Sequence, residues 1–302
     1  MNINLHPIYN PVDDFDRGRD WPETWLKRKK MLTLPRIIAP VDFSEPSRRG
    51  AIFAARLACH FHSELTLLHV LDPCGHELTA SEFNEWISPD EFRNMDVRRV
   101  MLSGDAGGEI VNFAHSRPSS LIVIPTHGFG PLRQCLLGSV AAKVLHNADC
   151  PILSGVHMPD AFPDETRSFR KILCAVDFCP QSEKALKWAS DFAGEFQAQL
   201  TVVHITPSLE GRTGEYFDPT WRDCLAQSAR EKIEEMQNRA GSNGAVFIED
   251  SNGIPQAVSS AASQLDADLV VIGRAASRGV LGRLRTNAYS IIRQSSCPVV
   301  SV

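Results

Sequence analysis

One unit of this chain is written twice. RIIAPVDFSEPS at 36–47 returns as KILCAVDFCPQS at 171–182, and LTLLHV at 65–70 returns as LTVVHI at 200–205, both 135 positions on. Farther along, LIVIPTHG at 121–128 returns as LVVIGRAA at 269–276, 148 positions on, and CPIL at 150–153 returns as CPVV at 297–300. Self-similarity over such a distance means one structural unit used twice, here of about 130 residues. The step in offset from 135 to 148 puts 13 extra residues into the middle of the second copy. The chain of 302 residues then divides into an extension at 1–34, a first domain at 35–157, a linker at 158–169 and a second domain at 170–302.

Each copy alternates strand and helix. IIAPV and ILCAV are short apolar runs of the kind buried on both faces of a parallel sheet. A Ser/Pro turn follows each, with Ser44 as the expected N-cap of one helix and Pro180 in the first turn of the other. LTLLHV and LTVVHI are second strands. RDCLAQSAREKIEEMQNRAG at 222–241 is an amphipathic helix stopped at Gly241; its counterpart near 77–95 is shorter and broken by Pro89. Third strands lie at VRRVMLSG and AVFIED, and each copy then runs helix, LIVI or LVVI strand, glycine-bearing loop, helix, and last strand. Strands alternating with helices predict a right-handed, doubly wound parallel sheet.

Composition narrows the function. Hydrophobic residues at 43% exclude wholesale disorder, and a net charge of -5 lacks the basic excess that drives non-specific nucleic-acid binding. No apolar run approaches the ~18 residues of a membrane span, and the charged N-terminus has no secretory core, so the expectation is a soluble, cytoplasmic protein. Eight cysteines without a CxxC pair read as reduced thiols, and His60 and His62 as structural or solvent-facing rather than metal ligands.

In an open parallel sheet, ligands bind beyond the carboxyl ends of the strands where strand order reverses. In the first copy those ends carry Pro40, Val41, Asp42, Val70 and the loop THGFGPLRQCLLGSV. Gly128 is followed by Gly138-Ser139 at the start of a helix, where glycine lets backbone N–H groups approach an anion and the helix dipole favours phosphate. On these grounds alone, a phosphate cradle and a plain turn both stay open.

IIAPVDFSE, LLHV, and IPTHG-x9-GSV followed by CPIL together resemble the universal stress protein (UspA) family, over both repeats from about 35 to 302. The resemblance implies two tandem Rossmann-like α/β domains, adenine nucleotide alpha hydrolase-like, with doubly wound parallel sheets related by a pseudo-twofold axis. It implies an ATP-binding stress-response protein, with Mg2+ as the companion of the phosphates and at most slow hydrolysis. The ATP-binding branch carries G-x2-G-x9-G-[S/T]; here Pro125-x2-Gly128-x9-Gly138-Ser139 matches except at the first glycine, where Pro125 offers no N–H. Carried over by position, Pro40, Val41, Asp42 and Val70 match the adenine and ribose pocket, and Thr126, His127, Gly128, Gly138, Ser139 and Val140 the phosphate loop. In that family the last strands pair antiparallel across a dimer axis, which CPILSGV and CPVVSV of a tandem chain can do within one molecule.

The second copy keeps Asp177 and Gly273 as a weak second site, but Ala276 and Thr286-Asn287 replace the phosphate-loop residues. Its loop carries Arg274, Arg278, Arg283 and Arg285, read either as an anion site or as a solvated basic loop. Asp42 and Asp177 lack the acidic neighbours of a phosphoacceptor site, and His69 and His204 inside apolar strands read as satisfied core histidines. No catalytic residue and no metal site is assigned; GxSxG, HExxH and Walker A patterns are absent. The alternative class is a scaffold in which neither copy binds nucleotide and a sheet edge mediates assembly.

Overall fold

The computed structural model describes residues 32–71, 80–87, 92, 95, 97–117, 121–126, 137–155, 169–208, 220–274 and 286–302. The first repeat runs β1 (Arg36–Pro40), α1 (Glu45–Phe61), β2 (Glu64–Leu71), α2 (Ala80–Glu85), β3 (Val97–Ser103), α3 (Ala106–Ser116), β4 (Leu121–Pro125), α4 (Ser139–Asn147) and β5 (Ile152–Gly155). The second runs β6 (Lys171–Ala175), α5 (Pro180–Phe196), β7 (Gln199–Thr206), α6 (Thr220–Ala240), β8 (Ala245–Asp250), α7 (Ile254–Gln264), β9 (Leu269–Ile272), α8 (Thr286–Gln294) and β10 (Val299–Ser301). The added residues of the second copy fall largely in α6, 21 residues long against 6 in α2.

Local chemistry explains the helix ends. Ser44 caps α1 by accepting from the Ser47 amide, and Pro180 occupies the first turn of α5. Both helices stop at a left-handed residue, His62 and Gln197, whose amides return to the last carbonyls. Gly241 closes α6 at φ 64°, a conformation glycine adopts without a Cβ penalty.

The ten strands form one sheet in the order β3-β2-β1-β4-β5-β10-β9-β6-β7-β8. Each repeat contributes five parallel strands, and the order is a palindrome under exchange of the repeats. The junction is antiparallel: Val299 faces Ser154, Val300 faces Leu153 and Ser301 faces Ile152. A Cβ on Gly155 would lie 3.2 Å from the Pro298 Cα, so the close approach of the chains there favours glycine.

Strand alternation sends Ile37 and Ala39 to one face of the sheet and Ile38 to the other. On the first face Phe53, Leu57, Phe192 and Ile233 bring α1, α5 and α6 into one core; on the second Ile110, Val144, Val258 and Ile292 bring in α3, α4, α7 and α8. Both cores run through both repeats. Each fully buried large side chain contributes about 1.5–3 kcal/mol of transfer free energy.

Two segment ends are more ordered than their sequence suggests. Phe169, at the end of the expected linker, is 2% exposed and packs edge-on against Phe53, Phe192 and Phe196. The last residues of the expected extension are also tied down: Leu34 is buried and the Leu32 amide donates to Glu195 Oε1 at 3.1 Å. His60 stacks on Phe196 at 4.2 Å, so α1 and α5 meet through an imidazole. Burial pushes the Cys174 thiol up to about 12 and that of Cys297 up to about 11, which leaves both unreactive near neutrality.

Candidate functional site

β1 lies between β2 and β4, so the strand order reverses at its carboxyl end, and a cavity of about 270 Å3 opens there. Pro40, Val41, Asp42, Val70, Thr126, Gly138, Ser139 and Val140 line it. His127 and Gly128 fall outside the described residues. Ser47, Leu68, His69, Ala106, Ile110, Ile124, Pro125 and Ala141 complete the wall. His69, expected from the sequence as a satisfied core histidine, thus also lines the cavity, and Ser47 recurs as Ser182 at the same place in the second repeat.

The turn after β1 is built around its carboxylate. Asp42 Oδ1 accepts from the Ser44 amide at 3.0 Å and from the Ser44 hydroxyl, and the Asp42 amide donates to Ser47 Oγ at 3.3 Å. Between them Phe43 sits at φ 63°, and Phe178 matches it at φ 61°. A bulky residue held left-handed stores strain of about 1–3 kcal/mol. In the first repeat that conformation lays the Phe43 ring against His69 and Trp86, at 4.7 and 5.0 Å. The His69 Nδ1–H donates to the Val41 carbonyl at 2.8 Å, so His69 is satisfied and also faces the cavity.

The other wall is the start of α4. Gly138 is its N-cap and provides no side-chain cap, so the first-turn amides open toward the cavity. The Gly138 amide donates to the Thr126 carbonyl at 2.9 Å, which joins β4 to α4. Gly138 has φ -58°, and a Cβ there would meet only the Thr126 carbonyl oxygen, at 3.4 Å. Neither backbone strain nor protein packing therefore demands glycine at 138.

A second cavity of about 170 Å3 occupies the matching place in the second repeat. Asp177, Ser182, His204 and Gly273 line it beside Asn287 and Ala288. Its base is a close copy: the Asp177 amide donates to Ser182 Oγ at 2.9 Å, and the His204 Nδ1–H donates to the Val176 carbonyl at 2.8 Å. Burial lowers the His204 pKa. Gly273 has a packing reason of its own, since a Cβ would come within 2.9 Å of the Gln181 backbone. The basic-loop expectation needs correcting at Arg274. This side chain is 5% exposed and turns into the protein, donating to the carbonyls of Leu145, Ala148 and Cys150, so it is neither solvated nor aimed at an anion. Ala276, Arg278, Arg283 and Arg285 lie outside the described residues.

The universal stress protein family profile matches this chain twice, over residues 33–154 and 168–302. The chain belongs to the universal stress protein family. A universal stress protein of Methanocaldococcus jannaschii is 32% identical over 135 residues, covering 39% of this chain and 79% of the relative. One from Mycolicibacterium smegmatis is 27% identical over 216 residues, 67% of each chain. Among solved structures, a universal stress protein from Archaeoglobus fulgidus superposes with a TM-score of 0.67 at 21% identity, covering 89% of this chain and 98% of that one. The tandem universal stress protein fold is thereby shared along nearly the whole chain. No helix among the described residues is long and apolar enough to cross a membrane, and they contain no group of three or more His, Cys, Asp or Glu placed to hold a metal ion.

Proposed function

We propose that this universal stress protein is an adenine-nucleotide-binding regulatory protein that holds ATP, with Mg2+, in the first-repeat cavity and turns it over slowly or not at all. One observation carries the reading: the uncapped N-terminus of α4 opens into a cavity at the topological switch point. The Ser139 and Val140 amides then take phosphate, while Pro40, Val41, Asp42 and Val70 take the base and ribose. The second repeat lacks the phosphate end, because Thr286-Asn287 stands at the Gly-Ser position and Arg274 is engaged elsewhere. Slow turnover follows from the lining. His69 is two strand spacings from β4, about 10 Å, and lies at the base end of the cavity. Asp42 is tied to Ser44, so no described residue of the lining is set to activate water at a γ-phosphate. Pairing of the repeats through β5 and β10 is part of the same reading, and neither nucleic acid nor a membrane surface is a partner.

The second reading is a scaffold that binds no nucleotide, and the two-repeat cores favour it as far as they concern assembly. Two measurements separate them: mass spectrometry of the denatured purified protein for co-purified adenine nucleotide, and calorimetric titration of ATP into wild type, Gly138→Val and Asn287→Val. We expect about one site per chain, lost in Gly138→Val and kept in Asn287→Val, because a valine side chain at 138 stands in the way of phosphate reaching the Ser139 and Val140 amides, and each such contact to a charged acceptor that is blocked removes about 1.5–3 kcal/mol. Hydrolysis slower than about one turnover per second is expected in the same samples. No ATP in wild type supports the scaffold. Binding abolished by Asn287→Val alone reverses the assignment of the working repeat.

A further inference from the structure

α4, whose N-terminus faces the first cavity, is held at both ends by side chains of the other repeat. Just before its N-cap, the Leu137 amide donates to Tyr289 Oη of α8 at 3.1 Å. At its far end, Arg274 Nη1 donates to the carbonyls of Leu145 at 3.2 Å and Ala148 at 3.1 Å, and Nη2 to the carbonyl of Cys150. A cation at a helix C-terminus is favoured by the helix dipole, so this seat on the last carbonyls suits the guanidinium, whose Nη1 and Nη2 both donate there. Tyr289 makes a single, more local contact. It takes the last amide before the stretch that opens to the cavity, which restrains where Gly138, Ser139 and Val140 begin.

The support runs one way. With the repeats aligned at an offset of 148, Thr126 and Ala141 stand where the second repeat has Arg274 and Tyr289. Neither carries a guanidinium or a phenol, so the first repeat cannot brace α8 by the same contacts. The repeat whose own cavity lacks the phosphate end is thus the one that supplies the bracing side chains.

We propose that Tyr289 and Arg274 are positioning residues through which the second repeat sets the phosphate-binding end of the first repeat's cavity. The inference rests on the nucleotide reading above, and it has its own signature. A brace on α4 governs phosphate and leaves the base and ribose contacts on β1 and β2 alone. Removing it must weaken a phosphate-bearing ligand and spare its phosphate-free counterpart, whereas general loosening of the fold weakens both.

The test is calorimetric titration of ATP and of adenosine into the full chain as wild type, Tyr289→Phe and Arg274→Gln, with a melting curve for each. Amide hydrogen exchange of the peptide containing Leu137 is followed in the same proteins. Tyr289→Phe keeps the ring and removes only the acceptor, so it is the variant that decides if Arg274→Gln fails to fold. We expect ATP to bind about five- to tenfold more weakly to Tyr289→Phe, the equivalent of one hydrogen bond, with adenosine within about twofold and faster exchange at Leu137. Unchanged ATP affinity, or equal losses for ATP and adenosine, overturns the positioning role. A wild type that prefers ATP over adenosine no more than Gly138→Val does overturns the nucleotide reading instead, and the positioning role with it.

Discussion

His204 and His60 both make neutral imidazole part of the folded protein. His204 is lowered in pKa first by burial, against the opposing pull of its bond to the Val176 carbonyl and the charge of Asp177, with Lys232 adding to the lowering. His60 is lowered first by burial and further by His62, while Glu195 opposes. A histidine whose pKa falls on folding stabilises the protein above its unfolded value of 6.5 and loses that contribution as the pH drops. The melting temperature should therefore fall on acidification from neutrality to about pH 5. His60→Phe keeps a ring against Phe196 and removes one titration, so its melting temperature should fall less over the same range. An equal fall in both proteins would remove His60 from this account. Single residues also mark where sequence reading ends. Asp42, Gly138 and Ser139 were legible because motif and strand end coincide. Arg274 and Tyr289 were not, because their partners are 124 to 152 positions away and no local pattern encodes such a reach.

The two repeats serve as internal controls for one another at the level of elements. α1 and α5 are both 17 residues long and end the same way, yet only α1 has a side-chain cap, since Cys179 stands where the first repeat has Ser44. Ser44→Ala should cost about 1 kcal/mol and Cys179→Ser should gain part of that, read from chemical denaturation midpoints. No change in either variant would mean that the Asp42 and Asp177 turns alone hold these helix starts. Element type was readable along most of the chain: buried apolar runs became strands, and helical spacing with Ser, Pro or Gly at the ends became helices. Segment ends were harder. Phe169 read as linker because its flanks are polar, and its place in the core depends on rings from α1 and α5 that no neighbouring residue announces.

At the scale of the molecule, the β5–β10 pairing turns two five-stranded sheets into one of ten strands. Ile152, Leu153, Ser154 and Gly155 are all buried, as are Val299, Val300 and Ser301. A first repeat expressed alone, ending at residue 157, would expose β5 as a bare apolar edge. It should self-associate, doubling its mass in light scattering after gel filtration; a clean monomer would mean that β5 does not need a partner strand.

The antiparallel junction has one more consequence. Strands on its two sides run in opposite directions, so their carboxyl ends, and the cavities formed there, lie on opposite rims of the sheet. The two mouths stand back to back. A partner protein seated over one mouth faces away from the other.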